Sequence, residues 1–238
     1  LINTLLGKNM PTINDARIAY QNQNFEKAYN LYETLAKENN PEALTTLGYM
    51  HHQGQHVEKS IEKANDFYLQ AANLDYAIAQ YNLGVAYAHG DGLAVNDMEA
   101  FGWYLKAAEQ NVIEANYQVA LMFESGNGTS VDYTQALHYY ERASMMGHAD
   151  ALNSLGVIYQ EGRIVEQNWH LAVELYQEAA NKNNAKAMFN LGFMYDRGMG
   201  IAPDPDIALS WARKAASLGH KEAKAIITRM QQEGKIVF

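Results

Sequence analysis

The same small residues return every 36 positions along most of this chain. One series is Ala43, Ala79, Ala115, Ala151, Ala187 and Ala223; a second is Ala64, Ala100, Ala136, Ala172 and Ala208. Gly54, Gly90, Gly126, Gly162, Gly198 and Gly234 keep the same step. So do Leu47-Gly48, Leu83-Gly84, Leu155-Gly156 and Leu191-Gly192, with Val119-Ala120 in the remaining unit. A period of this size implies a row of like units. Each is too small to bury its own apolar face, so the core forms between neighbours.

Within a unit the apolar spacing is helical, as in Ala79, Leu83 and Tyr87, followed by Ala100, Trp103, Tyr104, Ala107 and Ala108. Each unit therefore holds two helices. Gly84, Ala107 and Ala108 allow close approach, while Phe67, Trp103, Tyr139 and Trp211, all in one register, fill the space between units. Ser60, Asn96, Asp132, Asn168 and Asp204 each stand four residues before the alanine of the second helix, which suits an N-cap. Asn96 with Glu99 and Asp132 with Gln135 have capping-box spacing, and Pro205 suits the first helical position. No strand pattern interrupts the series, so the expected class is all-α, a stack of antiparallel helix hairpins.

Composition narrows the partners. The 238 residues carry a net charge of −9 and no Lys/Arg-rich run, which argues against nucleic acid and favours a basic protein partner. There is no cysteine, so disulfides, thiol catalysis and Cys-ligated zinc are excluded. No apolar run approaches the roughly 20 residues of a membrane span, so no transmembrane segment is expected. An upstream segment such as an export signal is expected to precede Leu1.

Little in the pattern suggests chemistry. His51, His52 and His56 resemble a metal cluster in sequence, but Gly54 should end the helix and spread them over a helix end and a loop. His148 and His220 read as loop residues. Ser60-Ile61-Glu62-Lys63 spells S-x-x-K, yet Ser60 lies in the N-cap register and no S-D-N or K-T-G follows. Gly126-Asn127-Gly128 and Gly198-Met199-Gly200 lack the Lys and Ser/Thr of a phosphate loop and read as turns. The expectation is a protein that is not an enzyme, with no cofactor, no metal and no catalytic residue.

The stretch AIAQYNLGVAYAHGDGLAVNDMEAFGWYLKAAEQN, within Asp75 to Asn111, resembles the Sel1-like repeat of the tetratricopeptide-like superfamily. Its pattern is A-x-x-x-L-G-x-x-Y-x-x-G-x-G, then A-x-x-W-Y-x-x-A-A. It recurs five times over 41–221, with His51 for the usual Tyr and Ala120 for the usual Gly. Residues 1–40, with ARIAYQNQNFEKAYNLYETLAKEN, look like a tetratricopeptide-type capping hairpin, and 222–238 like a capping helix and tail. The resemblance implies a right-handed α-solenoid whose first helices line a concave groove.

On that wall the register places Thr45, Tyr81, Tyr117, Asn153 and Phe189, then Tyr49, Val85, Leu121, Val157 and Phe193. A polar rim holds His52, His89, Glu124, Gln160, Glu161, Asp196 and Arg197. Tyr81, Tyr117 and Phe189 could equally pack against the preceding unit. The family implies a protein-interaction scaffold or adaptor, a monomer, bacterial and periplasmic or exported. A sharper version is an immunity protein that blocks a secreted toxic effector. The alternative of another class is a peptidoglycan or small-ligand binder with hydrolase activity, which needs a pocket of convergent polar groups.

Overall fold

The computed structural model describes residues 11–232, and among them there are thirteen α-helices and no strand. These are α1 (Ile13–Gln21), α2 (Phe25–Ala36), α3 (Pro41–Gln53), α4 (Ile61–Asn73), α5 (Ala77–His89), α6 (Asp97–Glu109), α7 (Ile113–Ser125), α8 (Tyr133–Met145), α9 (Ala149–Glu161), α10 (Trp169–Asn181), α11 (Ala185–Arg197), α12 (Pro205–Ser217) and α13 (Lys221–Gln232). The described residues form two compact units, 11–115 with 127–130, and 116–126 with 131–232. In the first, α1 to α6 pack consecutively; in the second, α8 to α13 do.

The turns follow from local chemistry. Gly54, Gly90, Gly162 and Gly198 sit left-handed, with φ between 65° and 76°, and each donates its N–H back to the last turn of its helix. Six residues on from the glycine register, the side chains of Ser60, Asn96, Asp132, Asn168 and Asp204 accept backbone N–H groups of the next helix, as expected of N-caps. Ser60 accepts from Lys63 N–H, so the S-x-x-K motif is a helix start. The return turn places Asn39, Asp75, Asn111 and Asn183 at positive φ, and Gly147 and Gly219 occupy the same register. Asn and Asp tolerate that conformation where other side chains resist it. Between α1 and α2 the turn is only residues 22–24, against 54–60 between α3 and α4. The ends of the two expected capping segments, 1–10 and 233–238 with Gly234, lie outside the described residues.

Close packing inside each hairpin depends on one pair of registers. A Cβ added to Gly48, Gly84 or Gly156 would lie 2.7, 2.5 or 2.5 Å from a ring carbon of Tyr68, Tyr104 or Tyr176, respectively. The glycine thus makes the seat on which the tyrosine ring rests, and Tyr176 is fully buried. Two units vary the pair: Ala120 stands in the glycine register of Tyr140, which stays 1% exposed, and Ala212 stands in the tyrosine register of Gly192. Where the ring is missing, a hollow of about 270 Å³ remains, lined by Gly192, Ala208 and Ala212 among others. Burial pushes the hydroxyls of Tyr68, Tyr104, Tyr140 and Tyr176 above the ordinary tyrosine range.

Candidate functional site

The first helix of each hairpin packs its Ala and Leu-Gly registers inward and leaves its remaining face to the registers anticipated for binding. In the first unit Tyr49 on α3 is 44% exposed, beside half-buried His52. Both line a recess of about 170 Å³ with Val85, Asn82 and Asp91. Asn65 Nδ2 holds the loop side of that recess by donating to the Asp91 carbonyl at 2.7 Å. His89 is exposed at the end of α5. Thr45 is buried, its hydroxyl donating to the Pro41 carbonyl at 2.8 Å. Tyr81 is half-buried, its ring 5.7 Å from that of Tyr104, and burial pushes its hydroxyl up.

His51, buried one turn from the helix end, lies between the Tyr29 ring at 5.9 Å and the Phe67 ring at 5.6 Å. Burial holds its imidazole below the ordinary range against an opposing contact with the Glu58 backbone. It fills the register occupied by Tyr87, Phe123, Tyr159 and Tyr195 in the other units, so it serves as an aromatic core residue. Among the described residues no three His, Asp or Glu side chains are grouped so as to hold a metal ion.

In the second unit the packing of the aromatic stripe has a cause the sequence did not disclose. Tyr117 stacks on His148 at 4.4 Å, and Phe189 stacks on His220 at 4.5 Å. Both histidines cap a helix: Nδ1 of His148 accepts from Ala151 N–H at 3.2 Å, and Nδ1 of His220 from Ala223 N–H at 3.3 Å. Tyr117 and Phe189 are consequently half-buried, as is Leu121. Phe193, one turn beyond Phe189, is 42% exposed. The Arg197 guanidinium lies 5.7 Å from the Phe193 ring, and its Nε is 3.4 Å from the Asp196 carboxylate.

The rim is tied to the core through the tyrosines. Tyr140 donates its hydroxyl to Glu124 Oε2 at 2.5 Å, and Tyr176 donates to Gln160 Oε1 at 2.7 Å. In both pairs the partners stand 16 residues apart, one at the end of a first helix and one in the second. Sequence reasoning missed these links, although the regular W-Y pair of the motif carried the signal. Glu161 pairs with Arg163 at 2.7 Å on the surface. Asn153 is buried and accepts from Asn190 Nδ2 at 3.0 Å.

Glu124, Asn153, Val157 and Glu161 meet at a pocket of about 400 Å³ with five residues outside the anticipated set, Tyr133, Ser154, Ile158, Arg163 and Ile164. Of the remaining anticipated residues, His52, Tyr49 and Val85 share the recess in the first unit, and Phe189, Phe193 and Asp196 share the hollow beside α13. The convergence is thus local, in three places at equivalent steps of the repeat.

A Sel1 repeat model matches residues 19–40, 41–76, 77–112, 113–148, 149–184 and 185–220. The structure is similar to that of a Sel1 repeat protein from Oxalobacter formigenes, at 34% identity and a TM-score of 0.89, over 95% of this chain and 90% of that one. It is also similar to c5321, a protective antigen of uropathogenic Escherichia coli with the same repeat fold, at 26% identity and a TM-score of 0.80. That likeness covers 87% of this chain and 44% of the antigen. The immunity protein PA5088 of Pseudomonas aeruginosa shares the fold alone, at 20% identity and a TM-score of 0.55 over 92% of this chain and 86% of that one. No curated protein matches the sequence. No described helix is long and apolar enough to cross a membrane. Proteins built from these repeats generally mediate protein–protein interaction. With six consecutive matches and a solved relative over nearly its full length, the chain belongs to the Sel1 repeat family.

Proposed function

We propose that this protein is a bacterial scaffold that holds a partner protein against the outward registers of its first helices. The observation that carries the reading is the division of the aromatic stripe. Tyr117 and Phe189 are taken up by stacking on helix-capping histidines, whereas Tyr49 and Phe193 remain 44% and 42% exposed beside charged or polar neighbours. Large aromatic rings left wet in a polar surround are the composition of an interface centre and rim. A net charge of −9 favours a basic partner, whose approach it would speed. The bacterial setting is supported by the relatives from Oxalobacter formigenes and Escherichia coli.

Affinity capture from the source cells tests this. The triple variant Tyr49→Ala/Phe193→Ala/Asp196→Lys changes only exposed side chains, so its fold should be retained. The wild type is expected to capture a stoichiometric protein that the variant loses, by at least about tenfold, since interface aromatics commonly contribute 2 kcal/mol or more. Equal capture by both proteins would contradict the assignment of the binding face.

A further inference from the structure

We infer that the pocket containing Glu124 receives one long basic side chain, lysine or arginine, of the partner protein, with Asn153 available to the same residue's main-chain carbonyl. The inference rests on the partner-binding reading and gives it a chemical address.

The pocket lies where the repeat departs from glycine between two hairpins of the second unit. At one loop position three hairpins carry glycine, Gly92, Gly128 and Gly200, and the hairpin of α3 and α4 carries His56. A Cβ at the three glycines would lie 2.8 Å from the Ile61 side chain, 2.1 Å from the Asp97 backbone and 2.4 Å from the Trp169 backbone, respectively. In each case the loop presses on the start of the preceding hairpin's second helix. Ile164 occupies this position in the hairpin of α9 and α10, and the matching helix start is Tyr133. A branched side chain cannot make so close an approach, and the space between Ile164 and Tyr133 is left as the pocket of about 400 Å³.

Its walls specify the occupant. Val157, Ile158 and Ile164 offer apolar surface to an aliphatic stem. Glu161 is paired with Arg163, but among the described residues no cation pairs with Glu124, whose Oε2 is fixed by the buried Tyr140 hydroxyl. The lining therefore keeps one uncompensated carboxylate, already oriented, which is a receptor for an ammonium or guanidinium group. Asn153 is 8% exposed, and its one side-chain hydrogen bond is made through Oδ1, from Asn190; its Nδ2 has no protein acceptor. Nδ2 is not among the enclosed atoms that lack a partner, so it stays open at the pocket wall and can donate to an acceptor of the occupant. An aliphatic stem, a terminal cation and a carbonyl near its base are together the parts of a basic residue within a peptide.

The test is a chemical-shift titration of the intact protein with Nα-acetyl-lysine methylamide and, separately, Nα-acetyl-arginine methylamide, with the neutral Nα-acetyl-norleucine methylamide as control. At least one basic probe is expected to move the amide signals of Glu124, Ser154 and Glu161 saturably in the millimolar range, and norleucine is not. Glu124→Gln, which keeps an acceptor for Tyr140, is expected to weaken the probe by at least about tenfold. Ile164→Gly is expected to close the pocket and abolish the shifts while leaving the fold intact. Absence of saturable shifts with both basic probes, equal binding of norleucine, or undiminished binding to either variant would overturn the inference. Capture by the exposed aromatic face is read separately, so failure here would leave the scaffold reading standing.

Discussion

Replacing Gly156 with leucine is expected to lower the midpoint of thermal unfolding by about 10 °C, or to prevent folding of the unit altogether. The Cβ alone would come within 2.5, 2.7 and 3.0 Å of three carbons of the Tyr176 ring, which is fully buried and has nowhere to swing. Overpacking a close-packed core costs about 1–3 kcal/mol and sometimes more. For a chain of this length each kcal/mol moves the midpoint by about 2–4 °C. Alanine at the same position should cost much less, because Ala120 already stands in this register opposite Tyr140. Gly102 supplies the opposite case. A Cβ there meets nothing within 4 Å, so Gly102→Ala should stabilise the helix by about 0.5–1 kcal/mol. Circular dichroism melts of the three variants check the series. A leucine at 156 tolerated as easily as the alanine at 102 would contradict the close glycine–tyrosine contact.

Tyr176→Ala is expected to cost about 3–5 kcal/mol, the range for removing a large aromatic side chain from a packed core. Two losses combine: the ring leaves a cavity over Gly156, and the Gln160 side chain loses the hydroxyl that fixes it at 2.7 Å. The hollow beside Ala212 shows what this register looks like without a ring. Urea unfolding of wild type and variant measures the difference. A loss below about 1 kcal/mol would mean that the hairpin does not depend on this contact.

The hairpins were legible because their determinants are local and periodic. Capping serines, asparagines and aspartates at 60, 96, 132, 168 and 204 fix helix starts through their own backbone hydrogen bonds, and the glycines at 54, 90, 162 and 198 fix the stops. The fate of the aromatic stripe was not legible. Whether Tyr117 is free or packed depends on a histidine 31 residues later, which looked like an ordinary loop residue until its ring was seen stacked on the tyrosine. The pocket was hidden for a different reason. Ile164 stands where three other hairpins carry glycine, and a period emphasises what repeats, whereas a site can arise where the repeat lapses. The departure was nonetheless present in the sequence and could have been found by asking which unit broke each register.

The assignment of the binding face is tested most directly by photo-crosslinking to the captured partner. A photoreactive amino acid is placed in turn at Tyr49 and Phe193, on first helices, and at Leu69 and Met145, on second helices; all four are more than 40% exposed. Crosslinks from Tyr49 and Phe193, with none from Leu69 and Met145, are the expected result. Crosslinks confined to Leu69 and Met145 would place the partner on the other helices and contradict the account.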